Sequence, residues 1–504
     1  MRFTAPLTCL ALLAATPVLA APFSACESKT PATALEGCTA ILEAGQDMQS
    51  LDFEAYSNRA QAELSLGQPQ AARRDALAGV ALNPANGPIY LTLAKAYVAL
   101  DQTKAAKAAL DTAMSLTPND PGPYILLGEM HLAANDWKAD VAAQNQALAL
   151  NPNDADIYMA RAIAELEGSQ PKVALADVNH AAALGSTDPR VHLVRGFVAA
   201  GDSDWKTAAL EETQYLYAVP DNPLVLAAFS QAEEALGHNQ QALQAINHAI
   251  ALVSTVPDFY LQRASVEDRM GQFSDEMADL TTVISNAGTD KDLLYHTLLL
   301  RAGAEQQAKL FDLAMKDAQR AVALAPDKAP AYTAEAVLAR TMKDNKAAIA
   351  DDAKAIDRDN KYIPAYEDQA VAYSLTRDYA NAVKDETQVL RLAPNSAPDL
   401  NNRCWFLALE GKLPEAQTDC LASLKLAPHQ PATLDSTGYV YLQLKRYQEA
   451  IHYYDEGLKL DPKMSTSLYG RALAEQALGE TKQADADMAQ AKKDDPKIKQ
   501  DFGH

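Results

Sequence analysis

Aromatic side chains occupy only 7% of the 504 positions, and cysteine occurs five times. A chain with so few large rings must build its interior from aliphatic residues and alanine. Positive charge is also scarce. Lys and Arg number 44 against 66 Asp and Glu, for a net charge of −22. An acidic chain repels phosphate, which argues against nucleic acid and anionic membrane surfaces as partners. Beyond the N-terminus no run approaches the ~18–20 apolar residues of a membrane span. Hydrophobic residues still make up 48% of the chain, so wholesale disorder is excluded. Catalytic signatures are missing too: no HExxH, no GxSxG, no GxxxxGK[ST] and no Gly-rich strand–helix fingerprint. The nine histidines are scattered, without a second ligand at metal-binding spacing. The sequence therefore suggests neither an enzyme nor a cofactor or metal site.

Residues 1–20 read MRFTAPLTCLALLAATPVLA. Arg2 supplies a short positive region, Leu7 to Leu19 an apolar core, and Val18-Leu19-Ala20 small residues at the −3 and −1 positions. This is the pattern of a secretory signal peptide, and it predicts an exported, periplasmic or secreted chain. Acylation at Cys26 is disfavoured, because Phe23 suits the −3 position of such a site poorly and Cys38 would lose its partner.

What the chain has in abundance is repetition. Pro84, Pro118 and Pro152 are spaced by 34 residues, and the register returns at Pro220, Pro326, Pro394, Pro428, Pro462 and Pro496. Only a tandem repeat holds such a register. With the prolines at position 32, position 8 is small in all thirteen units, from Ala60 and Ala94 to Gly438 and Ala472. Position 20 is Ala in eleven of thirteen, position 27 is mostly small, and position 4 is often Tyr, as in Tyr56, Tyr90 and Tyr158. Glycines such as Gly67, Gly237 and Gly411 separate two apolar stripes at helical spacing. The unit is helix, turn, helix, here termed helix A and helix B. Proline then ends helix B. One unit cannot bury its own apolar faces, so stability must come from stacking.

This pattern resembles the tetratricopeptide repeat over about residues 23–496. The resemblance implies an all-α solenoid: a right-handed superhelix of about 13 repeats whose helices A line a concave groove that binds peptides or proteins. The register slips once, by four residues between Ser254 and Pro326, which predicts a long loop and a bend within 285–294. The expected organisation is a signal peptide at 1–20, an N-terminal array at 21–288, a C-terminal array at 289–496 and a polar capping tail at 497–504.

Cys9 falls in the signal segment. In the repeat register, Cys26 and Cys38 take positions 8 and 20 of a partial unit, and Cys404 and Cys420 take positions 8 and 24 of the eleventh. Position 8 faces the inner side of helix B in this family, so each pair is expected across one hairpin. In an oxidising compartment they become disulfides Cys26–Cys38 and Cys404–Cys420. The alternative is buried free thiols.

Five units carry Arg at position 7 and Glu at position 11: Arg59/Glu63, Arg161/Glu165, Arg263/Glu267, Arg301/Glu305 and Arg471/Glu475. At i,i+4 these share a helix face, and they are expected to form ion pairs that set stacking register rather than a partner stripe. Asp351-Asp352 and Asp494-Asp495 are expected on solvated surface. The family's groove positions are most distinctive near the C-terminus: Glu367, Asn401, Asn402, Trp405, Asp435, Tyr439 and Tyr469. Aromatics there offer stacking area, and Asn can bond an extended backbone. Leu91, Lys95, Ile125 and Glu129, towards the other end, are blander. Lys95 alone does not reproduce the two-carboxylate clamp of chaperone-binding relatives. The expected function is an exported scaffold for a peptide or protein partner in cell-envelope assembly. The alternatives are a non-catalytic platform subunit of an envelope enzyme or secretion complex, and an acidic surface or host-contact protein. Oligomeric state is not encoded in any of these features.

Overall fold

A computed structural model describes residues 20–44 and 49–502. The signal segment, apart from its last residue Ala20, lies outside the described residues. Every regular element among them is α-helical, and successive helices pair as A and B of each unit. The chain forms two compact units, one through Leu252 and one from Val253.

Helix boundaries follow local chemistry. Proline at the first turn starts many A helices, where its missing N–H has no partner to lose. Asn86, Asp154, Asn222 and Ser396 cap A helices with their side chains, and Asp136, Asp204, Asp344 and Asp378 cap B helices. The A-to-B turn passes through one left-handed residue at position 15 of every unit. Glycine fills it at Gly67, Gly237, Gly271, Gly411 and Gly479. Asp101, Asn135, Lys343 and Arg377 are among the non-glycine residues held there with positive φ.

The small positions are the core. Ala60, Ala72, Ala94, Ala106, Ala113 and Ala147 are fully buried, so the helix backbones approach closely. The two exceptions to Ala at position 20 are the buried acids Asp140 and Glu276. Position-4 tyrosines bind the preceding turn: the hydroxyls of Tyr90, Tyr158, Tyr260, Tyr332 and Tyr366 each donate to the carbonyl six residues earlier, at 3.1–3.3 Å. Each tyrosine thereby joins its own helix A to the residue that ended the previous helix B.

The register slip takes a different form from the loop expected at 285–294. Helix Phe273–Asn286 and helix Lys291–Gln307 are joined by four residues, and the second helix runs for 17 residues. Gly122–Ala133 and Ala329–Thr341, two ordinary A helices, have 12 and 13. The four additional residues thus add one helical turn, 291–294, inside the second unit, so the chain does not divide at 288/289. The added turn, residues 291–294, precedes Tyr295, and its last residue Leu294 packs against the cluster of Tyr295, Ala325 and Ala331.

Candidate functional site

The seven candidate groove residues lie on four A helices of the second unit: Ile363–Leu375, Ala397–Glu410, Pro431–Gln443 and Ser465–Leu478. Three of them converge on an aromatic cradle. The Trp405 and Tyr439 rings are 5.0 Å apart and tilted by 57°. Tyr439 and Tyr469 are both buried, because a fourth ring covers them. Phe502 meets Tyr439 at 5.4 Å and Tyr469 at 5.0 Å, edge to face in each case. The sequence gives no signal for this contact, since Phe502 falls outside the repeat register.

The other four candidates have different surroundings. Asn401 is one turn before Trp405, and its Oδ1 is buried without a hydrogen-bond partner among the described residues. Asp435 accepts a 2.5 Å hydrogen bond from Ser467 Oγ. Burial pushes its carboxyl up to about 6, with Ser467 and Thr466 opposing the rise. Asn402 faces the buried Glu386, whose carboxyl burial pushes up to about 8. Glu367 is raised as well, first by burial and then by Asp399. Glu367 and Asp435 thus lie on the same series of A helices as the cradle, with both carboxyls raised by burial.

A second groove, of about 550 Å³, opens in the first unit. Leu193, Phe197, Trp205 and Leu224 line it, and Glu212 stands at its wall. Phe197 and Leu224 are 59% and 70% exposed, so this apolar surface is uncovered. Glu212 is buried, and its carboxyl is pushed up to about 7 by burial and then by Glu233. Phe197 and Leu224 occupy positions 9 and 2 of their units. Both are positions that face the groove in the repeat register, so the register is the signal that could have found them.

The position-7 arginines find a partner that helical spacing does not reveal. Arg161 donates through Nε and Nη2 to both oxygens of Asp177, at 2.6 and 2.7 Å. Arg263 with Asp279, Arg301 with Asp317 and Arg403 with Asp419 repeat the arrangement, and Arg59 and Arg471 bind Asp75 and Asp487. The partner is position 23 on helix B, sixteen residues on, rather than Glu at i+4. The i+4 carboxylates of Glu165, Glu267 and Glu305 stand 3.8–3.9 Å from the guanidinium. One oxygen of each of these, and of Glu63 and Glu475, is buried without a hydrogen bond among the described residues. Planar bidentate geometry explains the preference: the fork matches an Asp opposite it across the hairpin. The same arginines also reach back one unit, as Arg161 does to Asn145 at 2.6 Å and Arg301 to Thr281 at 2.8 Å. They therefore hold both hairpin and stacking register.

Asp352 corrects a further expectation. It is fully buried rather than solvated, and its carboxyl is raised by burial and by Asp368, while its neighbour Asp351 pairs with Lys354. Helix twist turns one of two adjacent acids inward.

Cys26 Sγ lies 2.02 Å from Cys38 Sγ, and Cys404 Sγ 1.92 Å from Cys420 Sγ. Cys404 and Cys420 sit fully buried in the hairpin beneath Trp405 and Tyr439. No group of three or more His, Cys, Asp or Glu suited to a metal ion occurs among the described residues. No described helix is long and apolar enough to cross a membrane.

Tetratricopeptide repeat family models match residues 63–128 and 437–464. No curated protein matches the chain. Among solved structures, the chain is similar to one from the Cut9–Hcn1 hetero-tetramer of the APC/C, at 14% identity over 93% of this chain and 96% of that one (TM-score 0.38). It is also similar to yeast Tom70, at 13% identity over 81% and 91% (TM-score 0.37). PilF of Pseudomonas aeruginosa aligns at 18% identity over 41% and 95% (TM-score 0.37). With thirteen helix pairs among the described residues, in a 34-residue register broken by one four-residue slip, and family models matching residues 63–128 and 437–464, the chain is a tetratricopeptide repeat protein, all-α and built as a solenoid of helix pairs.

Proposed function

We propose that this protein is an exported scaffold that holds a peptide segment or a partner protein against the A helices of its second unit, in cell-envelope assembly. The observation that carries the reading is the aromatic cradle of Trp405, Tyr439 and Tyr469, which already holds one aromatic side chain, Phe502. Rings with polar edges suit protein contacts. Export rests on residues 1–20 and on two cysteine pairs that suit an oxidising compartment.

The test is affinity capture from the native envelope fraction, with the partner identified by mass spectrometry. Trp405→Ala with Tyr439→Ala abolishes its capture while helical content is unchanged. Capture by the unaltered chain survives ~0.5 M salt, where exposed charges are screened. Full capture by the double variant refutes the groove assignment. Loss of capture by the unaltered chain in salt favours an acidic contact surface instead.

A further inference from the structure

The tail after Pro496 does two separable things. Ile498, in the single helical turn Ile498–Asp501, is buried against Leu458, Leu468, Tyr469 and Ala491. That contact closes the end of the last hairpin, as a terminal cap must. Phe502 does more than closure requires. Its ring passes the last helix A and reaches Tyr439, one unit further back, beside Trp405. It packs with two residue clusters, one around Cys404–Cys420 and one around Ile498. Among the described residues, its backbone makes the hydrogen bond from Phe502 N–H to Ile498 O at 2.9 Å. Its ring contacts, and not an extended backbone ladder, therefore hold it in the cradle, so another ring making the same contacts can exchange with it.

The surface beneath it is chemically selective. Phe502 meets both tyrosines edge to face, at 70° and 61°, an arrangement that favours another ring over an aliphatic chain.

We infer that Phe502 is the resident occupant of a receptor for aromatic side chains, and that a partner segment bearing an aromatic residue must displace it to bind. The inference rests on the reading of this face as the partner surface. It adds the chemistry of the occupant and a built-in competitor.

A fluorescein-labelled synthetic peptide of residues 497–504 is titrated by anisotropy against the full chain and against its Phe502→Ala variant. The vacated variant binds the peptide about tenfold more tightly, because the resident ring no longer reduces the competent fraction. The same peptide with Phe502→Ala binds neither chain. Adding Trp405→Ala to the vacated chain removes the gain. Equal binding to both chains, absence of binding to either, or equal binding of the altered peptide overturns the inference. The partner-surface reading falls separately, if Trp405→Ala with Tyr439→Ala leaves envelope capture unchanged. Circular dichroism and a melting curve of the Phe502→Ala chain show that its fold persists.

Discussion

Gly438 and Tyr454 share one volume across a hairpin. A β-carbon on Gly438 would stand 2.7 Å from the ring of Tyr454, which is itself fully buried. The pair belongs to positions 8 and 24, and other units show the same exchange of size. A β-carbon on Gly128 would meet Gln144 at 2.3 Å, and one on Gly196 would meet Glu212 at 3.1 Å. Cys404 and Cys420 fill the same two places.

Gly438→Ala is therefore destabilising, although alanine is the better helix former. Overpacking costs about 1–3 kcal/mol, against a helix gain of about 1 kcal/mol. Hydrogen exchange across residues 431–460 reads the local loss. Tyr454→Leu in the same chain restores much of it, since the clash is with the ring.

The arginine forks predict an asymmetry between two acids. Asp177→Asn leaves Arg161 without its bidentate carboxylate, which costs about 1.5–3 kcal/mol for hydrogen bonds to a charged group. Glu165→Gln is close to neutral, because burial and Asp177 already push that carboxyl up to about 7. Exchange protection of helices Ala155–Glu167 and Pro171–Ala183 reads both. An equal loss in the two variants contradicts the assignment.

The same environment sets a pH dependence. Glu63, Glu165, Glu267 and Glu475 are pushed up to about 7 and Glu305 to about 6, by burial first and the neighbouring Asp second. The unfolded chain releases these protons near 4.5. Between 4.5 and 7 the folded state binds more protons, so stability falls as pH rises through that window and levels off above it. Thermal melts should give a higher midpoint at pH 5 than at pH 8; the reverse order contradicts these positions.

Cys404→Ser with Cys420→Ser removes a bridge closing sixteen residues, and about 3 kcal/mol of local stability with it on the loop-entropy account. Mass spectrometry of non-reduced peptides from the exported protein should show Cys404 joined to Cys420 and Cys26 to Cys38. Free thiols at Cys404 and Cys420 would remove the basis for the prediction.

Much of the fold was legible because the repeat imposes one packing rule thirteen times. Ala60, Ala72 and Ala113 could be placed in the core from register alone. Asp177 could not, since the i+4 rule sees only neighbours on one helix and the fork opens across the hairpin. The added turn at 291–294 was not legible, because an insertion breaks the register without stating its conformation. Trp405, Tyr439 and Tyr469 were legible as a set. Their cover was not, because Phe502 lies outside the periodicity that made the others visible.

The most direct measurement is site-specific photo-crosslinking at position 405 of the full chain, in the native envelope, with a benzophenone amino acid there. A second protein joined at position 405 through a segment bearing an aromatic residue, with the yield increased by Phe502→Ala, is the predicted result. Crosslinks confined to residues 497–502 of the same chain, in the presence and absence of Phe502, would contradict a partner surface at the cradle.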